Sequence, residues 1–221
     1  MNTRQRFGIA AVLVALSGVV GVLAWPSLPE QVITHWNAAG EPDGTMAKLP
    51  GIALIPVLSA LLLGLFAAIP RIDPLGENIG SFRAAYDWFV IVFAAFMVAL
   101  QTGIVAFNLG YEFDFTLFIL LAVAALFYYV GILLDVVERN WFVGIRTPWT
   151  LSNEEVWDRT HRLGARLFKL TAIVALVGLL FGEYAVYFLV VPALLTALVT
   201  VGYSYYVYER LDGDATTETA L

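Results

Sequence analysis

The chain has 221 residues, 60% of them hydrophobic and only 14% charged, and its mean hydropathy is +0.81. A soluble domain is about half apolar and a quarter charged, so surface charge has been exchanged here for lipid-facing surface. There is no cysteine, which excludes disulfide frameworks, thiolate metal sites and cysteine nucleophiles. The length leaves no room for a soluble catalytic domain beside a set of membrane spans. Net charge is −6, from eighteen acids against twelve basic residues; with only Lys48 and Lys169 as lysines, this acid-rich composition predicts a halophilic source, such as a halophilic archaeon.

In chain order, six apolar runs approach the roughly 20 residues a helix needs to cross a bilayer: Phe7–Trp25, Gly51–Ile69, Ala84–Phe107, Phe115–Leu134, Leu167–Phe181 and Tyr184–Tyr208. The fold class expected is therefore all-α, a polytopic transmembrane bundle of six spans forming a single membrane domain over 1–221. The first run follows Arg4 and Arg6 but is too long for a signal-peptide core and lacks a small-residue cleavage site, so it reads as a retained span. Pro56 and Pro192 fall inside spans two and six, which membrane helices tolerate when neighbours satisfy the freed carbonyl; each is either packing or a kink along a pathway. Eleven of the twelve basic residues fall on one side of this alternation and only Lys48 on the other. Cytoplasmic loops carry the excess of Lys and Arg, so both termini are expected in the cytoplasm and the protein in the cytoplasmic membrane.

The outer loop, 26–50, is rich in turn-forming residues: Asn37, Gly40, Pro42, Asp43 and Gly44. Three readings stay open for it. It caps the bundle; or His35, Asn37 and Asp43 converge as a polar recognition site; or His35 and Asp43, with help from Glu30 or Glu41, ligate a metal.

The inner segment 135–166 reads Asn140-Trp141-Phe142-Val143-Gly144-Ile145-Arg146-Thr147-Pro148-Trp149-Thr150-Leu151-Ser152 through its centre. Gly144 and Pro148 fix the backbone. Arg146, the one charge in that stretch, binds lipid phosphate, stacks on a ring, or pairs with Asp135 or Glu138. Ser152 to Glu155 then has the form of a capping box. Behind it comes an amphipathic helix with Glu155/Arg159 and Asp158/Arg162 at the favourable i,i+4 spacing. Trp157, His161, Gly164 and Phe168 share one face, and arginines occupy another that is suited to anionic headgroups. His161 reads as a packed interfacial histidine rather than a base or ligand.

Within the spans the ionisable inventory is nearly empty; in span three the polar residues are Gln101 and Thr102, with Asn108 at its outer end and Asp87 near its inner end. No HExxH, GxSxG or phosphate-cradling motif is present, so no catalytic residue, cofactor or metal is expected.

Two segments resemble known families. The outer loop is similar to the signature of a membrane family of unknown function, approximately LP-x2-IP-x-HFN-x2-GxxD, with Ile33 standing where that pattern has proline. The inner stretch from Asn140 to Phe168 resembles the hallmark of the SdpI family of bacterial and archaeal membrane proteins. The resemblance implies immunity and signalling: protection from an extracellular toxic peptide and engagement of a cytoplasmic repressor or regulator, with no direct nucleic-acid contact. The residues it implicates are His35, Asn37, Gly40 and Asp43 outside, and Asn140, Gly144, Arg146, Thr147, Pro148, Trp157 and His161 inside. The alternatives are a transporter of a small molecule or peptide, with Gln101 and Asn108 along its path, and a membrane-embedded metal-dependent hydrolase.

Overall fold

The computed structural model describes the backbone of residues 1–218 and side chains through Asp212. Its elements are α1 (Thr3–Ala24), β1 (Gln31–Trp36), β2 (Pro42–Ala47), α2 (Lys48–Ile72), α3 (Gly76–Ser81), α4 (Arg83–Asn108), α5 (Phe115–Leu134), α6 (Pro148–Ser152), α7 (Glu154–Gly178) and α8 (Ala185–Glu218). Among the described residues, five stretches are long and apolar enough to cross a membrane: Thr3–Ser27, Lys48–Ile72, Arg83–Asn108, Phe115–Leu134 and Glu154–Asp212. The last folds back on itself. A short 3-10 turn, Leu179–Tyr184, contains Gly182 at φ 57, a left-handed conformation open to glycine at no steric cost. Beyond it α8 packs along α7, and the hydroxyls of Thr171 and Thr196 meet at 3.1 Å.

The long helices alternate in direction, so the connections gather at two ends. One end holds the segment between α1 and α2, the α4–α5 turn and the α7–α8 turn. The other holds the N-terminus, α3, the segment from Asp135 to Asn153 and the end of α8. Six acids and Lys48 belong to the first end, and the other eleven basic residues to the second.

Helix prolines explain part of how α2 and α4 pack. A proline at position i cannot donate to the carbonyl at i−4, which would then be stranded in an apolar interior. In α2, Pro56 frees Ile52 O, and Gln101 of the neighbouring α4 donates Nε2 to it at 3.2 Å. Pro70 frees Phe66 O, and the Tyr86 hydroxyl of the same α4 donates to it at 2.7 Å. Both kinked sites of α2 are thus stitched to α4. Gln101, a residue that could have lined a transport path, is instead fully buried as a structural donor.

Three local readings of the sequence are corrected. The outer segment is not an irregular loop: it contains a two-stranded antiparallel hairpin set on the all-α bundle. Its strand β1, Gln-Val-Ile-Thr-His-Trp, carries the β-branched and aromatic residues that favour a pleated, half-buried surface. Second, α7 is capped by Asn153, whose Oδ1 accepts from the backbone N–H of Glu155 at 2.9 Å and of Val156 at 3.2 Å, while Ser152 closes the preceding helix α6. Third, the amphipathic segment runs on into the fifth span as its sequence allows, but its Trp157–His161–Gly164 face is buried in the bundle rather than laid on a membrane surface.

Candidate functional site

The hairpin end is assembled around Asn37 and Trp36. Asn37 Oδ1 accepts from the backbone N–H of Ala39 at 2.9 Å and Glu41 at 3.0 Å, and its Nδ2 donates to Glu41 Oε2 at 3.1 Å. Gly40 sits at φ 82, where a Cβ would lie 2.9 Å from Thr116 Oγ1. These two residues build the turn and dock it on α5. Trp36 stacks on Phe115 with ring centroids 3.7 Å apart and meets Phe107 edge-on at 5.2 Å, which fixes the strand to α4 and α5.

Asn108, at the end of α4, clamps the other side of the hairpin. Its Oδ1 accepts from Ile33 N–H at 2.7 Å and its Nδ2 donates to Ile33 O at 2.9 Å. The first of these bonds needs an N–H at position 33, which a proline lacks. The departure from the family pattern at Ile33 therefore has a partner in Asn108. Ile33→Pro is expected to destabilise the protein by about 1–2 kcal/mol in a detergent melt, and Asn108→Ala should add little on top of it.

His35 and Asp43 are the remaining pair. Gly44 stands opposite His35 in the register, where a Cβ would approach the His35 Cβ to 3.0 Å. The irregular pairing around His35 lets Asp43 reach across, and His35 Nδ1 lies 2.5 Å from Asp43 Oδ1. The pair stays in solvent, with side chains 71% and 43% exposed. Asn37 and Gly40 are committed to the fold, whereas His35 presents most of its ring outward. Beneath the hairpin lies a cleft of about 400 Å³, bordered by His35, Trp36, Leu54, Ile104, Phe115 and Val186 among others. No group of three or more His, Cys, Asp or Glu residues able to hold a metal occurs among the described residues.

The opposite end is a folded knot centred on three buried residues. Asn140 is fully buried: its Oδ1 accepts from the N–H of Phe142 at 2.9 Å and Val143 at 2.6 Å, and its Nδ2 donates to the carbonyls of Glu138 and Val143, both at 2.9 Å. Trp157 donates its indole N–H to Val137 O at 2.9 Å and stacks on the His161 ring with centroids 3.9 Å apart. Ile145 N–H donates to His161 Nε2 at 2.9 Å, so that nitrogen carries the lone pair, and Nδ1–H donates to Trp157 O at 2.8 Å. His161 is thus a neutral imidazole with both nitrogens engaged, in the core rather than at the interface.

Gly144 lies against that ring at φ 118, where a Cβ would sit 2.4 Å from His161 Nε2. Thr147 caps α6, Pro148 occupies its first turn, and Thr147 Oγ1 donates to Ser204 Oγ at 3.1 Å, tying the knot to α8. Arg146 does not pair with Asp135 or Glu138: it donates Nη1 to Trp141 O at 2.8 Å, and Asp135 is held by Lys169. Of the two expected helix pairs, Arg159–Glu155 forms at 2.5 Å, but Arg162 donates to the Asp158 carbonyl instead of its carboxylate.

Sequence reasoning missed the partners supplied by the first inner segment. Asp73 Oδ2 accepts from Trp141 N–H at 2.9 Å, and Asn78 Nδ2 donates to Arg139 O at 2.7 Å. Polar residues in a segment without periodicity carry no signal of such long-range bonds.

Both ends coincide with segments shared with known proteins. Residues 136–204 match the SdpI/YfhL protein family, and residues 12–60 match a domain of unknown function, DUF1648. The immunity protein SdpI of Bacillus subtilis (strain 168) is 26% identical over 206 residues, which is 93% of this chain and 97% of that protein. The chain is thus similar to an SdpI protein over nearly its whole length, and residues 136–204 carry the SdpI/YfhL family segment. The DUF1648 match runs from α1 through the hairpin into α2, and the SdpI match takes in the inner knot, α7 and most of α8. With several helices long and apolar enough to cross a membrane, the chain reads as a multi-pass membrane protein similar to an immunity protein. No solved structure matches it.

Proposed function

We propose that this protein confers immunity by recognising an extracellular toxic peptide at its hairpin end. In this reading it lies in the cytoplasmic membrane with six spans, α7 and α8 being the last two. Both termini and the Asn140–His161 knot face the cytoplasm, where the knot is the surface for a regulator. The observation that carries the reading is the division of labour in the hairpin: Asn37 and Gly40 hold the turn, while His35 stands exposed at the mouth of a cleft. The similarity to an immunity protein over nearly the whole chain supports the same assignment. Gln101 and Asn108, the polar residues a transport path would use, are spent on backbone carbonyls and amides.

The test is survival. Cells with and without the gene are challenged with culture supernatants of neighbouring strains, and the gene is expected to restore growth. His35→Ala should abolish protection while shifting stability by less than about 1 kcal/mol, because an exposed side-chain pair contributes little to folding. A stable His35→Ala variant that protects fully would remove His35 from the recognition face, and a gene that protects against nothing would end the immunity reading.

A further inference from the structure

The cleft under the hairpin differs in its lining and its surroundings. Its floor is Leu100 and Ile104 of α4; one wall is α2, with Leu54 and Ile55, and the other is formed by α5 and α8. α2 packs on α1 and α4, whereas α8 packs on α7 and α5, so the cleft runs between two helix groups. Leu54 is 49% exposed and continues as an exposed stripe with Leu58 and Leu61 on the same face of α2. An apolar stripe of this kind on a membrane helix faces lipid, so the cleft opens sideways into the bilayer as well as upward to water. Its volume of about 400 Å³ falls within the range of roughly 300–1,000 Å³ for ligand pockets.

The surroundings of the cleft carry the opposite chemistry: no carboxylate lines it, but Asp43 is paired with its lining residue His35 and others stand close by. Glu30, Glu41, Asp43, Glu112, Asp114 and Glu183 all lie at this end. The single cation there, Lys48, is spoken for: its Nζ is 3.7 Å from Glu30 and 5.0 Å from the centroid of the Trp25 ring. Asp114 and Glu183 border an adjoining pocket that shares Ala38, Phe115 and Thr116 with the cleft, and Glu112 is exposed two residues before Asp114. Trp36, which lines the cleft, has an indole N–H with no acceptor.

We infer that the cleft docks a cationic amphipathic peptide arriving from the outer leaflet, its apolar side chains on Leu54 and Ile104 and its basic groups towards the surrounding carboxylates. The inference rests on the peptide-recognition reading above and adds the chemical class of the ligand. Carboxylates around the cleft attract a basic ligand and penalise an acidic one, which gives selectivity as much as affinity. An anionic lipid headgroup meets the same penalty.

Binding is tested on the full-length protein in phosphatidylcholine nanodiscs, with an environment-sensitive dye on Ala38→Cys, a labelling made specific by the lack of native cysteine. The probes are three leucine-rich helical peptides identical except for Lys, Gln or Glu on the polar face, with empty nanodiscs as the reference. The Lys peptide is expected to bind about tenfold tighter than the Gln peptide and the Glu peptide weakest, the difference shrinking with added salt. Leu54→Trp, a lipid-facing change that narrows the side opening, should weaken the Lys peptide about tenfold. Glu112→Gln with Glu183→Gln should weaken it roughly fivefold and leave the Gln peptide unchanged.

Equal affinity for the Lys and Glu peptides overturns the inference, and so does Lys-peptide binding indifferent to Leu54→Trp, which would be surface attraction alone. If no peptide moves the dye and native mass spectrometry finds a phosphatidylcholine retained by the wild type but lost in Leu54→Trp, the cleft is a lipid site. A protein that protects cells yet binds no Lys peptide overturns this docking and leaves the immunity reading intact. One that binds the Lys peptide but protects no cells supports the docking and ends the immunity reading.

Discussion

Gly144→Ala is expected to cost about 2–4 kcal/mol, combining a left-handed backbone position with overpacking in a filled site. The added methyl would fall 2.4 Å from His161 Nε2 and 3.3 Å from Trp157 Cη2. Neither ring can retreat freely: they stack on each other, and His161 is pinned by Ile145 N–H on one side and Trp157 O on the other. The loss should appear as a lower detergent melting temperature, together with faster proteolysis between Asp135 and Asn153. His161→Ala in the same background would open room for the methyl and recover part of the loss, although it strands Ile145 N–H. A Gly144→Ala protein that melts with the wild type would mean that the knot is not closed on the His161 ring.

Asp87→Ala is expected to be of similar size, about 3 kcal/mol, because it leaves buried or half-buried arginines without a counter-charge. Asp87 is fully buried on α4, with Arg83 Nε at 2.7 Å from Oδ1 and Arg6 Nη1 of α1 at 3.7 Å from Oδ2. The arginines keep side-chain exposures of 31% and 15%, so part of the penalty is relieved by water. The informative comparison is Asp87→Leu combined with Arg83→Met and Arg6→Met, which leaves neither arginine of the cluster unpaired. Replacing a buried ion pair or triad by apolar residues of similar volume is often nearly neutral, so this triple variant should melt closer to wild type than Asp87→Ala does. If Asp87→Ala alone is silent in the melt, the cluster does not hold α1 to α4.

The long helices were legible because a bilayer imposes one simple rule, an apolar run of sufficient length, and the runs at Gly51–Ile69, Ala84–Phe107 and Phe115–Leu134 satisfy it without ambiguity. The fold at Gly182 was legible for a similar reason: Gly182-Glu183 interrupts an otherwise apolar stretch. The hairpin could have been read from Gln31–Trp36, but the turn-formers from Asn37 to Gly44 outweighed six strand-forming residues. The position of the α7 cap differed by one residue because Ser152 and Asn153 are both good caps, and the choice between them was made by Thr147 and Pro148 starting a separate helix upstream.

The candidate residues divide by the range of their interactions. Asn37 and Thr147 act on their own turns, and their roles follow from local chemistry. His161, Gly144 and Asn140 could be singled out from sequence, and Trp157 and Val143 lie within four residues of His161 and Asn140, but the closing of Ile145 N–H and Gly144 onto the His161 ring comes only from the packed bundle. The prolines of α2 are the middle case. The sequence announces that Ile52 O needs a donor, whereas Pro70 lies beyond the expected end of that span at Ile69, and only the packing of α4 shows Gln101 and Tyr86 serving Ile52 O and Phe66 O.

Recognition of an extracellular peptide requires the hairpin to stand outside the cell, and cysteine accessibility measures that directly. The chain has no native cysteine, so Ala39→Cys reports the hairpin turn and Arg146→Cys the knot, each in intact cells treated with a membrane-impermeant thiol reagent. Labelling at position 39 in intact cells, and at position 146 only after permeabilisation, is the result this account predicts. Labelling at position 146 but not at position 39 in intact cells would place the hairpin in the cytoplasm and contradict the account.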